Sequence, residues 1–230
     1  MNAKELSFRY GISTSGLLLV ALGVGLSIKS NLGIAPPSCP PTVLSLRWTG
    51  VSVGTFTWMM HLLFILLQAA LLRRRFRASA LMQIPAAFVF GYLCDGAIAL
   101  FHALDAPATH YGMQLLLSLA AVVLTAAGIR LEVLGGGWML AGDKTVEVLA
   151  AECRLPFGSV KVLFDVGLVL LTVLLARLFF GVFSGDGTTV IVREGTLILA
   201  VLTGLCMRVT DPLIERILQP LTSVFHSDQA

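Results

Sequence analysis

Four ionisable side chains sit inside otherwise apolar stretches of the chain: His61, Asp95, Asp165 and Arg208. A charge in hydrocarbon is costly unless it is paired or hydrated, so each one marks a pathway, a proton relay or a structural ion pair. Two spacings organise them. His61 and Asp165 lie 104 residues apart, and Asp95 and Arg208 lie 113 apart. A helical rise of about 1.5 Å per residue puts His61 and Asp95 at one depth and Asp165 and Arg208 at another. The expectation is an outer pair, His61 with Asp95, and an inner pair, Asp165 with Arg208. On a functional reading the pairs line a pathway and rearrange, or exchange a proton, with His61 the group whose charge changes most easily near neutral pH. On a structural reading each pair neutralises itself and locks its helices together.

A second set of candidates lies in two glycine- and proline-marked segments. Asn31, Gly33, Ser38 and Cys39 belong to the first, and Gly135-Gly136-Gly137, Asp143, Lys144 and Glu147 to the second. Helix starts beside glycine turns offer free N–H groups to an anionic ligand. Asp143 and Glu147, four residues apart, share a face if their segment is helical, and Lys144 then points elsewhere. The plainer reading of the second segment is an interfacial amphipathic helix with solvated charges. Gln68 and Gln83 read as interhelical hydrogen-bonding residues.

These residues need a lipid-embedded scaffold. The chain has 230 residues, 57% hydrophobic and 13% charged, with a mean hydropathy of +0.89. A soluble domain carries about a quarter charged residues. About 20 apolar residues cross a bilayer, and six stretches qualify: 13–28, 54–72, 80–101, 112–129, 158–180 and 195–216. Segments 31–49 and 134–154 are interrupted by prolines or charges and read as broken or re-entrant, with a crossing by each, eight crossings in all, as the alternative. Positive-inside counting then places the Arg73-Arg74-Arg75-Phe76-Arg77 run in the cytoplasm, with both termini. The basic residues cap spans and form no nucleic-acid-like patch. The four cysteines make no C-x-x-C and no His cluster has metal spacing, so neither a metal nor any other cofactor is expected. The lone G-x-S-x-G match, Gly50 to Gly54, lacks the strand–turn–helix setting of a nucleophile elbow, and no enzyme activity is expected.

The chain also matches itself. A shift of 104 lays Gly33 on Gly137 and Gly54-Thr55 on Gly158-Ser159, and beyond the longer loop 181–193 a shift of 113 lays Gly91 on Gly204. Residues 1–105 and 106–230 thus read as two repeats within one membrane domain. Three crossings per repeat is odd, so the second is inverted. The fold expected is an all-α polytopic membrane protein of about six transmembrane helices plus two broken segments. Inverted repeats with discontinuous helices are the plan of many secondary transporters, and the broken segments point to the binding site.

Short motifs carry a family resemblance. Leu32, Gly33 and Pro36, then Gly50, Ser52 and Gly54, then Phe90, Gly91 and Asp95 resemble the "LG-x-x-P", "G-x-S-x-G" and "F-G-x-x-x-D" segments of the bacterial YczE-like membrane proteins, distant relatives of the YitT type. The second-half motif of that group, "LG-x-GP-R-D", is reduced here to Leu134-Gly135-Gly136-Gly137 and Gly142-Asp143-Lys144. The resemblance implies a bacterial inner-membrane protein, with export of small organic molecules by some relatives. The expected function is an ion-driven secondary transporter, an exporter of a small molecule, with the lipid bilayer as its surroundings and no nucleic-acid partner. The alternatives are a non-transporting accessory protein and the substrate-binding subunit of a vitamin uptake system. A homodimer is expected through the small residues Gly16, Gly23 and Ser27.

Overall fold

The computed structural model describes residues 3–104, 110–137, 139–186, 189–203 and 206. These residues are helical, with one isolated antiparallel bridge between Gly185 and Val190. The elements are α1 (Ala3–Ser30), α2 (Cys39–Arg47), α3 (Val53–Leu72), α4 (Gln83–Ala103), α5 (Tyr111–Gly135), α6 (Ala141–Cys153), α7 (Phe157–Phe180) and α8 (Glu194–Thr203). Five helices are long and apolar enough to cross a membrane: α1, α3, α4, α5 and α7. The sixth expected span begins with α8, and its remainder, with Arg208, lies outside the described residues.

The centre of the fold is a contact between α1 and α5. Ser13 reaches the Glu132 carbonyl, Gly16 meets Gly128, and Gly23 meets Ala121. Partners on α5 fall in number as those on α1 rise, so the two helices are antiparallel. Glycine permits the approach. A Cβ on Gly16 would lie 2.6 Å from the Gly128 carbonyl oxygen, and one on Gly128 would lie 2.7 Å from that of Gly16. Close backbone packing of this kind holds helices together where lipid supplies no hydrophobic drive. It also overturns one expectation. The face carrying Gly16 and Gly23 is filled by α5 of the same chain and is not free for a second copy.

The remaining long helices take their directions from this pair. Gly25 packs on Ala97 and Phe101, and Lys29 donates to the Leu104 carbonyl, so α4 runs parallel to α1. Gly54 meets Gly91, and Gln68 bonds Gln83, so α3 runs antiparallel to α4. Since α3 returns alongside α1, the segment between them does not carry the chain across. Its helix α2 has 9 residues and α6 has 13. At about 1.5 Å per residue these rise roughly 14 and 20 Å, too short for a hydrocarbon core of about 30 Å.

Both short helices start deep. Gly135 is level with Arg9–Ser13, so α5 stops about two to three turns short of the start of α1. At the other end Gly23 faces Ala121 and Thr125, and α1 therefore stops about one to two turns short of the start of α5. The chain breaks at these points. Asn31 and Gly33 take positive φ (52° and 126°) in the first break, and Gly136 (61°) ends α5 in the second. Gly142 lies against His61 and Phe64, Thr145 against Gln68, and Glu152 against Arg75, so α6 runs beside the C-terminal half of α3. The other short helix runs along α7 toward its C-terminal end, with Val43 in one cluster with Ala176 and Trp48 edge-on to Phe179. Each short helix packs on the long helix of the other half as well as on its own.

The α1–α5 contact yields a test. Gly128→Val is expected to lower the melting temperature of detergent-purified protein by several degrees, since an overpacked contact of this kind costs about 1–3 kcal/mol. Gly167→Ala, where a Cβ meets nothing within 4 Å, serves as the control and should leave it unchanged or slightly raised.

Candidate functional site

The two breaks are held by side chains and by the loop before α8. In the first, Val190 N–H donates to Asn31 Oδ1 at 3.1 Å, Ile34 N–H to the Ile191 carbonyl at 3.0 Å, and Gly195 N–H to the Leu32 carbonyl at 2.8 Å. In the second, Gly137 N–H donates to Ser13 Oγ at 3.1 Å and Leu140 N–H to Glu132 Oε2 at 3.3 Å. Backbone that leaves a helix at membrane depth needs such partners. Gly33 is pinned here, because a Cβ would lie 2.7 Å from Thr196 N. Ser38 is buried at the turn into α2.

The deep start of α6 meets an ionic cluster on α7. Lys161 of α7 lies 3.2 Å from Asp143 Oδ1 and 3.1 Å from Asp165 Oδ1. The contact with Asp165 is an ion pair by distance and lacks the alignment of a directed hydrogen bond. Asp165 is also within electrostatic reach of Cys39, the first residue of α2. His61 comes to the same place from α3. It is buried, with Phe64 and Phe90 edge-on to its ring, Gly142 beside it and Asp143 within electrostatic reach. Its Nδ1 has no hydrogen-bond partner. About two turns toward the arginine end of α3, Gln68 Nε2 donates to Gln83 Oε1, the Ala141 carbonyl and Thr145 Oγ1 at 3.0–3.1 Å. The glutamines are the interhelical bonders their sequence context indicates.

The candidates therefore regroup. His61, Asp143 and Asp165 come together around the start of α6. Asp95 is elsewhere and does not pair with His61. Its carboxylate accepts from Gly54 N–H at 2.7 Å and Ser52 Oγ at 2.6 Å, across from α4 to the start of α3. An anion at a helix N-terminus satisfies free N–H groups and the macrodipole, which accounts for Asp95 as a cap. Lys144 and Glu147 also leave the site. They pair with each other at 2.8 Å on the exposed face of α6, so Asp143 and Glu147 do not act together. Asp165 takes Lys161 as its partner, and its expected partner Arg208 lies outside the described residues.

Two residues of the arrangement escaped sequence reading. Lys161 counts in the sequence as a flanking basic residue, and only its i,i+4 spacing to Asp165 marks it as a partner. Glu132 sits three residues before the end of α5 and is almost fully buried. Its available signal is a lone acid inside an apolar stretch. Among the described residues, no three His, Cys, Asp or Glu side chains converge as a metal site.

Five long apolar helices around buried charge define a multi-pass helical membrane protein. The chain belongs to a family of unknown function, DUF6198, whose model matches residues 7–212. No curated protein and no solved structure matches it.

Removal of the Asp95 cap should weaken α3. Asp95→Ala is expected to cost about 1 kcal/mol, a drop of about 2–4 °C in melting temperature, with Asp95→Asn recovering most of it. An unchanged melting point for Asp95→Ala would return Asp95 to the pathway candidates.

Proposed function

We propose that this protein is a secondary transporter of the bacterial inner membrane, an exporter of a small organic molecule driven by an ion gradient. The observation that carries this reading is the ionic cluster of Asp143, Lys161 and Asp165 at the start of short helix α6, with His61 beside Gly142 and the start of α2 within electrostatic reach of Asp165. Discontinuous helices that converge on ionisable groups near the midplane are the usual construction of a transporter's binding site. The charges cost several kcal/mol to keep at that depth, and a site that binds and releases cargo gives them a use.

Two inverted repeats of three crossings each support the reading. Helix, break, short helix and long helix follow in the same order in each half. The first helices of the two halves, α1 and α5, are antiparallel, as inversion requires. His61 and Asp165 lie 104 residues apart, and His61 lies against the short helix of the other half while Asp165 is within electrostatic reach of the first residue of the other. The motif resemblance to YczE-like proteins agrees with this plan.

The orientation follows from basic residues. Arg9, Arg73, Arg74, Arg75, Arg77, Arg130 and Arg154 gather at one end, against Lys29, Arg47, Arg177 and Arg193 at the other. The richer end faces the cytoplasm, with both termini. With Cys153 as the only cysteine, intact cells should resist an impermeant thiol reagent. Thr49→Cys in a cysteine-free chain should react. The reverse pattern would turn the molecule over.

Transport itself is tested in a bacterial strain stripped of its own efflux pumps. Expression of the wild-type chain should raise the inhibitory concentration of at least one compound in a panel of antibiotics, dyes and biocides. His61→Ala and Asp165→Asn should abolish that protection at equal membrane abundance. Full protection by both variants would separate the cluster from function. Loss of every effect, with a stable protein partner pulled down, would favour an accessory role, and co-purification of an ATPase would favour an uptake subunit.

A further inference from the structure

We propose that Glu132 is the proton-binding residue that couples this transporter to the proton gradient, an assignment that rests on the transport reading above. Glu132 is not among the residues that the motifs or the cluster single out. It is 3% exposed, in the last turn of α5. One carboxylate oxygen, Oε2, accepts from Leu140 N–H, and the other, Oε1, is buried with no hydrogen-bond partner. Gly16 of α1 closes over its stem, where a Cβ would lie 3.0 Å from Glu132 Cγ. Leu140 packs with Leu17, Val20, Ala86 and Phe90, which makes that side apolar.

The surroundings decide what could bind. From α1 come Arg9 and Tyr10, which lie against the Gly135–Gly137 turn, and Ser13. Arg130 stands two residues earlier on α5, and residues so spaced do not share a face. From α6 the nearest charge is Asp143, another anion. His61 of α3 stands on the far side of Gly142, and α4 presents Ala86 and Phe90. None of these groups hydrogen-bonds Oε1. An ionised carboxylate with an unmet oxygen in an apolar interior is relieved by a counter-charge or a proton. A metal cation needs a cage of oxygen ligands. Glu132 is instead met by an N–H donor, by apolar side chains and by a Ser13 hydroxyl already used by Gly137 N–H. A proton needs only the free oxygen.

The position also supplies the coupling. Leu140 immediately precedes α6, the helix that carries Asp143 to Lys161 and Gly142 to His61. Ionised Glu132 holds the start of α6 through the Leu140 N–H. A proton taken up from one side forms the O–H on the carboxylate, weakens that bond and frees α6 to shift. Release of the same proton to the other side restores the anion and the bond. The charge on Glu132 and the geometry of the ionic cluster thus change together.

The test uses full-length protein reconstituted in lipid. Infrared difference spectra between acidic and alkaline buffer should contain a carboxylic acid C=O band that is lost in Glu132→Gln and shifted in Glu132→Asp. A single cysteine at Glu147 on α6 should label at a pH-dependent rate in the wild type and at a pH-independent rate in Glu132→Gln. Glu132→Gln keeps an acceptor for Leu140 N–H, and Glu132→Asp keeps the acid if the glutamine variant fails to fold. An unchanged band in Glu132→Gln overturns the proposal, as does a response to sodium with none to pH. Compound export by Glu132→Gln with unaltered pH dependence also overturns it and leaves the transporter reading standing. Titration of Glu132 with no compound exported by the wild type would overturn the transporter reading and leave proton binding in place.

Discussion

Every backbone amide that leaves a helix inside lipid must find a partner within the protein, and this constraint shapes the molecule. The glycine contact between α1 and α5 sets the two helices antiparallel and offset, so that each ends before its neighbour begins. The chain is thus compelled to break at depth twice. The first break is covered by main chain from residues 190–195. Side chains from α1 and α5, Ser13 and Glu132, cover the second. A charged side chain has been drawn into the interior to satisfy a backbone group, and that choice places an ionisable residue beside the candidate site.

The halves share a path but not a chemistry. At the spacing of 104, Asp143 corresponds to Cys39, Lys161 to Thr57 and Glu132 to Ile28. The first half is apolar or neutral at these positions where the second is charged. Of the cluster's four charged or imidazole positions, only the one shared by His61 and Asp165 is ionisable near neutral pH in both halves. Under the proposed repeat, the backbone prepares two equivalent places and the side chains make one of them ionic. Only one of two desolvation penalties is then incurred, which matters when each charge costs about 2.5–3.5 kcal/mol at the bilayer centre.

Five spans and the two breaks were legible in the sequence because composition and glycine position report them directly. The rotation of a helix about its axis is not reported when apolar residues surround it on all sides, as on α3 and α4. Asp95 and His61 were therefore assigned a shared depth, and each was turned toward a different neighbour. Asp95 faces the start of α3 because Gly54 and Gly91 bring the backbones together there. The small residues of α1 read equally well as an inner or an outer contact, and only the tertiary packing chose. Lys161 and Glu132 were obscured by position: near a span end, a charge reads as topogenic or solvated. The shortened α5 turns such an end into an interior.

Lys161 is shared between two carboxylates on different elements, and this bears on how the site could move. Asp165 is four residues along the same helix, so that ion pair travels with α7 as a rigid unit. Asp143 is on α6, so that pair spans the interface between the two helices. Separation of α6 from α7 breaks the second pair and keeps the first. Lys161 then retains a counter-charge in both arrangements, which avoids the penalty of stranding a lone cation. Asp143, the group released, has His61 across Gly142 as an alternative neighbour. In the proposed cycle, movement of α6 therefore exchanges an interhelical ion pair for the intrahelical one that Lys161 already holds, and Asp143 is the group whose charge the second arrangement has to offset.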